Sequence, residues 1–223
     1  MKQLVMGLLL GLTVAVGLAA AGTASASDID KINGSIRVDA GQEVDDVSTV
    51  NGSVRIGRDA RARKVETVNG SILLDTNATA ESIDNVNGSI SIEEGAKVAK
   101  DVESVNGSIT LEKGSDVTGK ASNVNGRISL ESAHVGGGIS TNTGDILIGR
   151  DSRVEGGILV EKSNSWVRLG KEPVPRIVIG PNAVVQGSLK FEREVKLFVS
   201  ETARIGPVEG AQAVRFKGDQ PAD

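Results

Sequence analysis

Residues 69–86 read Asn-Gly-Ser-Ile-Leu-Leu-Asp-Thr-Asn-Ala-Thr-Ala-Glu-Ser-Ile-Asp-Asn-Val, and the tetrapeptide that opens this stretch recurs along the chain. Val replaces Ile in the second copy and Arg replaces Ser in the sixth, and the six copies begin at Asn33, Asn51, Asn69, Asn87, Asn106 and Asn125. Successive copies are 18, 18, 18, 19 and 19 residues apart. A nearly fixed period of this length predicts a solenoid, in which each repeat forms one coil and packs on its neighbours.

The Asn-Gly pair is also a strong signal for a β-hairpin, so a hairpin must be compared with a solenoid corner. A two-residue turn at Asn69-Gly70 would place Thr67 on the same face as Ile72 and turn Val68 away from it. The same mismatch would recur in every copy, burying a polar residue and exposing a valine. We therefore predict a corner at each Asn-Gly, with Val68 and Ile72 both pointing inward.

Two columns of aliphatic residues align when the chain is stacked at its own period, as expected for the inward side of a short parallel strand. The first column contains Ile36, Val54, Ile72, Ile90, Ile109, Ile128, Ile146, Ile177 and Val195. The second contains Val38, Ile56, Leu74, Ile92, Leu111, Leu130, Ile148, Ile179 and Leu197. A second face carries small pairs such as Ala78 and Ala80, and a third face begins at residues such as Ile83.

These columns predict an all-β fold, a single-stranded parallel β-helix with three short strands in each 18-residue coil. We expect nine to ten coils, a length of about 45 Å at about 4.8 Å per coil, and a right-handed helix. Three faces of about six residues enclose a narrow prism. This geometry agrees with an aromatic content of only 2%.

Charged residues of neighbouring coils fall opposite one another at the 18-residue offset. Glu43 aligns with Arg61, and Asp46 aligns with Lys64. Opposite charges on adjacent strands stabilise a sheet by roughly 0.2–1 kcal/mol per pair. We therefore interpret the basic run from 55 to 64 as a charged outer face balanced by adjacent coils, rather than as a patch for acidic polysaccharide or phosphate.

The asparagine column admits a functional and a structural interpretation. A row of identical amides could match a repetitive ligand. Alternatively, Asn and Gly tolerate the left-handed backbone of a sharp corner, and stacked amides can hydrogen-bond from coil to coil. We favour the structural interpretation.

The first 26 residues resemble a secretory signal, with Lys2, an apolar run from Leu4 to Ala21, and Ala24-Ser25-Ala26. Cleavage would leave a chain without a membrane span, exported to the periplasm or cell surface, whereas an uncleaved segment would be an anchor. The formal net charge of −4 argues against nucleic-acid binding. We divide the chain into a signal peptide (1–26), a solenoid (27–206) with an insertion at 161–176, and a C-terminal cap and polar tail (207–223).

Residues 146–158 and 177–189 share an Ile-Gly, small residue, Val, Gly, aliphatic pattern that resembles bactofilins, which are polymer-forming β-helix proteins. The Val-Asn-Gly-Ser-Ile coils within 47–130 are similar to an adhesin family of bacterial surface repeats related to autotransporter adhesin heads. The resemblance covers about 33–205. It implies a β-helix, and either surface adhesion or end-to-end self-assembly.

Few residues suggest a binding or catalytic site. Trp166, Arg168 and Lys171 lie in the insertion, where a tryptophan beside cations could stack on a sugar ring, although Trp166 could simply cover the prism. His134 is expected to face outward without an obvious catalytic partner. We predict no catalytic residue, cofactor or metal, and a non-enzymatic, exported, adhesin-like or scaffold protein. The alternatives are a self-assembling polymer, and a protein that binds or acts on envelope polysaccharide.

Overall fold

The computed structural model describes residues 27–162 and 173–221, and every regular element in them is a β-strand. The strands are β1 (Ile29–Asn33), β2 (Ile36–Val38), β3 (Glu43–Asn51), β4 (Val54–Ile56), β5 (Arg61–Asn69), β6 (Ile72–Leu74), β7 (Thr79–Asn87), β8 (Ile90–Ile92), β9 (Lys97–Val98), β10 (Val102–Asn106), β11 (Ile109–Leu111), β12 (Asp116–Val117) and β13 (Ala121–Asn125). They continue as β14 (Ile128–Leu130), β15 (His134–Val135), β16 (Ile139–Thr141), β17 (Ile146–Ile148), β18 (Arg153–Val154), β19 (Ile158–Val160), β20 (Arg176–Ile179), β21 (Val184–Val185), β22 (Leu189–Phe191), β23 (Lys196–Ser200), β24 (Arg204–Ile205), β25 (Val208–Glu209) and β26 (Ala213–Phe216).

The strands stack into a parallel β-solenoid of ten coils. A ten-stranded sheet takes one strand from each coil, in the order β2-β4-β6-β8-β11-β14-β17-β20-β23-β26. A sixteen-stranded sheet covers the other two faces, and its strands also pair in parallel with those of the next coil. The predicted fold class is therefore confirmed.

The number of strands per coil changes along the chain. In the first three coils, one nine-residue strand (β3, β5 or β7) runs through the bend between the second and third faces. From the fourth coil onward, two shorter strands replace it, beginning with β9 and β10. The fourth and fifth coils each contain one extra residue, which separates the two strands at Ala99-Lys100 and at Thr118-Gly119.

The core columns agree with the sequence prediction over most of the chain. The aliphatic residues of the ten-stranded sheet, from Ile36 to Ile179, are buried. The second face is lined by small residues, and Ala78 and Ala80 are buried as expected. The prism is therefore filled mainly by Ile, Val, Leu and Ala, which explains the shortage of aromatic residues.

The prediction that the valine before each Asn-Gly points inward is wrong. Thr67 is buried, with 3% of its surface exposed, whereas Val68 is only half-buried. The same holds in neighbouring coils, where the polar row of buried residues is Thr49, Thr67, Asn85, Ser104, Asn123 and Thr141. Val65 and Thr67 face inward as alternate residues of one strand, so Val68 begins the corner on the outer side.

Hydrogen bonds to the carbonyls of corner glycines explain how Thr49, Thr67, Asn85 and Asn123 are tolerated inside the prism, whereas the buried Ser104 hydroxyl has no hydrogen-bond partner among the described residues. The Thr67 hydroxyl donates to the carbonyl of Gly52 (2.9 Å), and the Asn85 amide donates to the carbonyls of Gly70 (3.2 Å) and Gly88 (2.8 Å). A buried polar group that finds a partner avoids most of its desolvation cost. The parallel pairing of the strands excludes the hairpin. The hairpin alternative was nevertheless right to place Thr67 on the buried face, together with Ile72.

The predicted register of the ninth coil is also wrong. Leu197 pairs with Ile177, and Val199 pairs with Ile179, so Val195 is not a core residue of the ten-stranded sheet. The paired residues Ile177 and Leu197 are 20 positions apart, two more than the 18-residue period. The aliphatic pair is therefore displaced by two positions relative to the sequence alignment.

Glycine at the Asn-Gly corner is required because the coils approach closely there. A Cβ atom on Gly52 would lie 2.2 Å from the carbonyl oxygen of Gly34, and one on Gly107 would lie 1.8 Å from that of Gly88. The corner asparagines are not among the described residues with positive φ. Instead, the left-handed non-glycine residues lie mostly at a second corner, after the ten-stranded sheet, as in Asp59 and Asn77 (both φ 57°).

The C-terminal segment continues the stack and then turns back along it. β25 and β26 extend the two sheets beyond residue 206, so the tenth coil is formed by the segment assigned to a cap. Beyond β26, Asp219 forms an ion pair with Arg150 of the seventh coil, and Pro221 is buried. Within residues 27–162 and 173–221, no helix is long and apolar enough to cross a membrane.

Candidate functional site

A ladder of asparagine amides runs along the Asn-Gly corner. Each amide donates to the side-chain oxygen of the asparagine in the preceding coil, at 3.0 Å from Asn51 to Asn33, 3.0 Å from Asn69 to Asn51 and 3.1 Å from Asn87 to Asn69. The ladder continues through Asn106 (3.2 Å) and Asn125 (3.0 Å), and the Thr143 hydroxyl contacts Asn125 at its end. The predicted coil-to-coil hydrogen bonding is confirmed, and the amides bind primarily to one another.

The serine that follows each Asn-Gly forms a second row beside the ladder. In the sixth and seventh coils, charged residues replace the serine in this row. Ser108 aligns with Arg127 and then with Asp145, so two charged residues replace the serine in successive coils. The Arg127 guanidinium lies 3.7 Å from the Asp145 carboxylate, which also accepts a hydrogen bond from the Arg176 backbone N–H (2.8 Å). Both charged side chains are thereby held at the same corner.

An open groove of about 590 Å³ lies at this point, on the outer side of the ten-stranded sheet. We call it the corner groove, and its described lining residues are Ser108, Thr110, Gly126, Arg127, Ser129, Thr143, Gly144, Asp145 and Pro173. Thr110 and Ser129 are the outward residues of β11 and β14 and are adjacent in register. Hydroxyl groups, one guanidinium and one carboxylate therefore face the same space, and can donate to and accept from a polar ligand.

The insertion borders the corner groove through Pro173. Trp166, Arg168 and Lys171, the ligand-binding residues suggested by the sequence, lie within 163–172, outside the described residues. The chain that follows them is held by Arg193, whose guanidinium donates to the carbonyls of Pro173 (3.0 Å) and Asn142 (2.9 Å). Arg127 and Asp145 were not predicted as site residues, although both replace the repeated serine in the sequence.

His134 faces outward, as predicted, and acidic side chains contact both nitrogens of its ring. Its Nδ1 atom contacts the Asp116 carboxylate of the preceding coil, and its Nε2 atom lies 3.5 Å from Glu155. Arg153 occupies the next register position and donates to Glu155 at 3.0 Å. These contacts place the imidazole within a row of charged side chains rather than beside a nucleophile.

Carboxylates stack on the outer side of the third face. Glu66, Asp84 and Glu103 occupy successive positions of one register row. Burial, with a smaller contribution from Glu66, raises the pKa of Asp84 to about 6. Burial, with contributions from Asp84 and Asp101, raises the pKa of Glu103 to about 7. Asp84 and Glu103 therefore take up protons as the pH falls through neutrality and slightly below it.

The basic run between 55 and 64 is largely paired with acidic residues. Arg55 lies 2.6 Å from Asp75, and Arg63 lies 2.7 Å from Asp46. Lys64 aligns with Asp46 as predicted, but its ammonium group contacts Glu66 (2.6 Å) in its own strand. This pairing is consistent with a balanced outer face.

Neither the family models, nor the curated proteins, nor the solved structures that were searched contain a match to this chain. The structure itself is that of a β-helix repeat protein. Across the described parts of the chain, His, Asp and Glu side chains form no group of three or more that could hold a metal ion.

Proposed function

We propose that this chain is a non-enzymatic, exported envelope protein in which the solenoid is a rigid, adhesin-like scaffold. The main support is structural continuity, because one strand from each of ten coils forms a single unbroken sheet. The amide ladder joins six of these coils a second time. Such a stack holds its side faces in fixed positions over about 45 Å.

Export is supported by the composition of residues 1–26 and can be tested by fractionation. Expressed in a bacterial host, the protein should be recovered from the periplasm or cell surface, with a mass that corresponds to a start near Ser27. A Leu9→Arg variant, which interrupts the apolar run, should remain in the cytoplasm at full length. Recovery of the unaltered protein in the cytoplasm at full length would contradict the proposal.

The corner groove favours polysaccharide binding as a second function. Its hydroxyls, Arg127 and Asp145 offer the mixed donors and acceptors that a sugar requires, and the groove adjoins the insertion that contains Trp166. An open groove on a flat sheet can also accept a chain rather than a single sugar unit. On this proposal the scaffold holds an envelope polysaccharide along its side.

A glycan array would test this second function. Arg127→Ser restores the serine of the other coils and should abolish binding, as should Trp166→Ala. Arg37→Ser removes an exposed cation from a distant coil of the same sheet, and should leave binding unchanged. Failure of the unaltered protein to bind any glycan, or equal binding by the Arg127→Ser variant, would reject polysaccharide recognition at the corner groove.

A further inference from the structure

Each end of the solenoid presents strands that lack a neighbour on one side. Among the described residues, β1 and β2 pair only with β3 and β4, and β25 and β26 pair only with β22 and β23. Unpaired edges of this kind can add a strand from another chain. In this solenoid, the first and last coils have complementary backbone edges, so copies could in principle stack end to end.

The last coil carries a cation at a position that belongs to the core. Arg215 pairs with Val199, and its column in the earlier coils contains only Val, Ile and Leu. Its guanidinium extends over the end of the prism and donates to the carbonyls of Ser200 (3.0 Å) and Ala203 (3.5 Å). Phe216 is buried beside it.

The first coil carries a second cation at an equivalent place. Lys31 pairs with Thr49 and therefore occupies the first position of the buried polar row. Its ammonium group donates to the carbonyl of Ser35 (2.9 Å), across the first Asn-Gly corner. In both terminal coils, a basic side chain thus covers a column that is otherwise apolar or neutral.

We propose that Lys31 and Arg215 close the two ends of the solenoid against stacking of a second copy. A head-to-tail joint that continued the register would bury both cations in one layer, because Arg215 would lie against Val38 and Lys31 against Gly210. The same joint would place Asp30 against Glu209, but both lie on the exposed outer side, where water and salt screen their repulsion, so the two inward cations are the main obstacle. Inward-pointing charges are a known means of preventing edge-to-edge association, and burying unpaired charges is strongly unfavourable.

This inference is independent of export and of glycan binding, and it opposes the polymer implied by the resemblance to bactofilins. It leaves the sides of the solenoid, including the corner groove, as the surfaces that partners contact. The ends are then terminal caps of the kind that repeat proteins require for solubility.

The test is the molar mass in solution of the purified protein, measured by light scattering over a hundredfold range of concentration. The unaltered protein should keep a single mass. The double variant Lys31→Thr and Arg215→Val, which restores the residue types of the two columns, should at least double its average mass as concentration rises. Electron microscopy should then show filaments one solenoid wide.

Two further variants serve as controls. Arg37→Val removes a cation from an outward position of the first coil and should stay at the mass of the unaltered protein. Arg215→Lys keeps the inward charge and should do the same, while circular dichroism confirms that each variant is folded. Concentration-dependent growth of the unaltered protein, or a folded double variant that keeps a single mass, would overturn the proposal.

Discussion

Beside each Asn-Gly corner, a polar side chain occupies a position that a larger globular core would give to an aliphatic residue. Thr67 and Asn85 fill this position because each can donate to the carbonyl of a corner glycine. Only glycine fits between the stacked corners, so the corner itself offers no side chain to bond this carbonyl. The corner and the polar row therefore depend on each other.

Two single substitutions at this corner test which of Thr67 and Val68 belongs to the core. Thr67→Val keeps the shape of the side chain but removes the donor to Gly52, and should lower the free energy of unfolding by about 1–3 kcal/mol. Val68→Thr, at the half-buried neighbour, should change it by no more than about 0.5 kcal/mol. Urea denaturation would measure both values. A larger loss for Val68→Thr would show that the valine is the core residue.

The amide ladder predicts a graded loss of stability. Asn69 donates to Asn51 and accepts from Asn87, so Asn69→Ala removes two hydrogen bonds. Each is worth about 0.5–1.5 kcal/mol, with values near the lower limit for exposed groups. Asn33 accepts one bond in the ladder, and Asn33→Ala should cost about half as much. Equal thermal stabilities of the two variants, or loss of partner binding without loss of stability, would favour a ligand-binding role for the ladder.

The sequence could predict which residues form the corner but not which of Thr67 and Val68 enters the core. Hydrophobicity alone selects the valine. The deciding factor is the carbonyl of the corner glycine, which receives its hydrogen bond from Thr67 of the next coil. This requirement becomes apparent only when two coils are stacked. Arg127 and Asp145 were visible as departures from the repeat, but the groove between them depends on the placement of Pro173.

Among the elements, the third face is distinguished by the carboxylate row on its outer side. The pKa values of Asp84 (about 6) and Glu103 (about 7) lie above the value of roughly 4 for carboxyl groups in an unfolded chain. The folded protein therefore binds more protons than the unfolded chain between about pH 4 and pH 7. Stability contributed by these groups falls as the pH rises through this range and stays low above it.

Glu103→Gln removes one member of this row without changing its shape. At pH 8 the variant should be more stable than the unaltered protein, with a midpoint of unfolding about 2–4 °C higher for each kcal/mol gained. The difference should disappear below about pH 3, where Glu103 is protonated in both the folded and the unfolded state. Glu94→Gln, on an exposed turn, is the matched control and should show no such pH-dependent gain. We expect the stability that the Glu103→Gln variant gains over the unaltered protein to be larger at pH 8 than at pH 5. A smaller gain at pH 8 would contradict the raised pKa of Glu103.

Strand positions followed from the sequence wherever the coil length is 18 or 19 residues. The ninth coil departs from this rule because its paired residues Ile177 and Leu197 are 20 positions apart, and the strand runs from Lys196 to Ser200. An alignment that keeps the Ile-x-Ile spacing cannot detect this change, since Val195 and Leu197 fit the pattern equally well.

For the whole molecule, stacking by nearest neighbours predicts that a complete coil can be removed. Deletion of residues 69–86 joins Val68 to Asn87 and brings two equivalent strands together. The shortened protein should unfold cooperatively, and X-ray scattering should show a length reduced by about 4.8 Å. Deletion of residues 69–77 removes half a coil and should abolish folding. If both shortened proteins folded, or if neither did, a stack in which each coil packs only on its two neighbours would be excluded.

The contact between Asp219 and Arg150 has a mechanical consequence. A stack of coils opens most easily from its ends, where each terminal coil has one neighbour only. Here the C-terminal segment turns back from the tenth coil to the seventh, and Pro221 is buried. A force applied at the C-terminus must therefore break the contact between Asp219 and Arg150 before it can pull β26 away from β23, so it acts first on the side of the solenoid and only then on its open end.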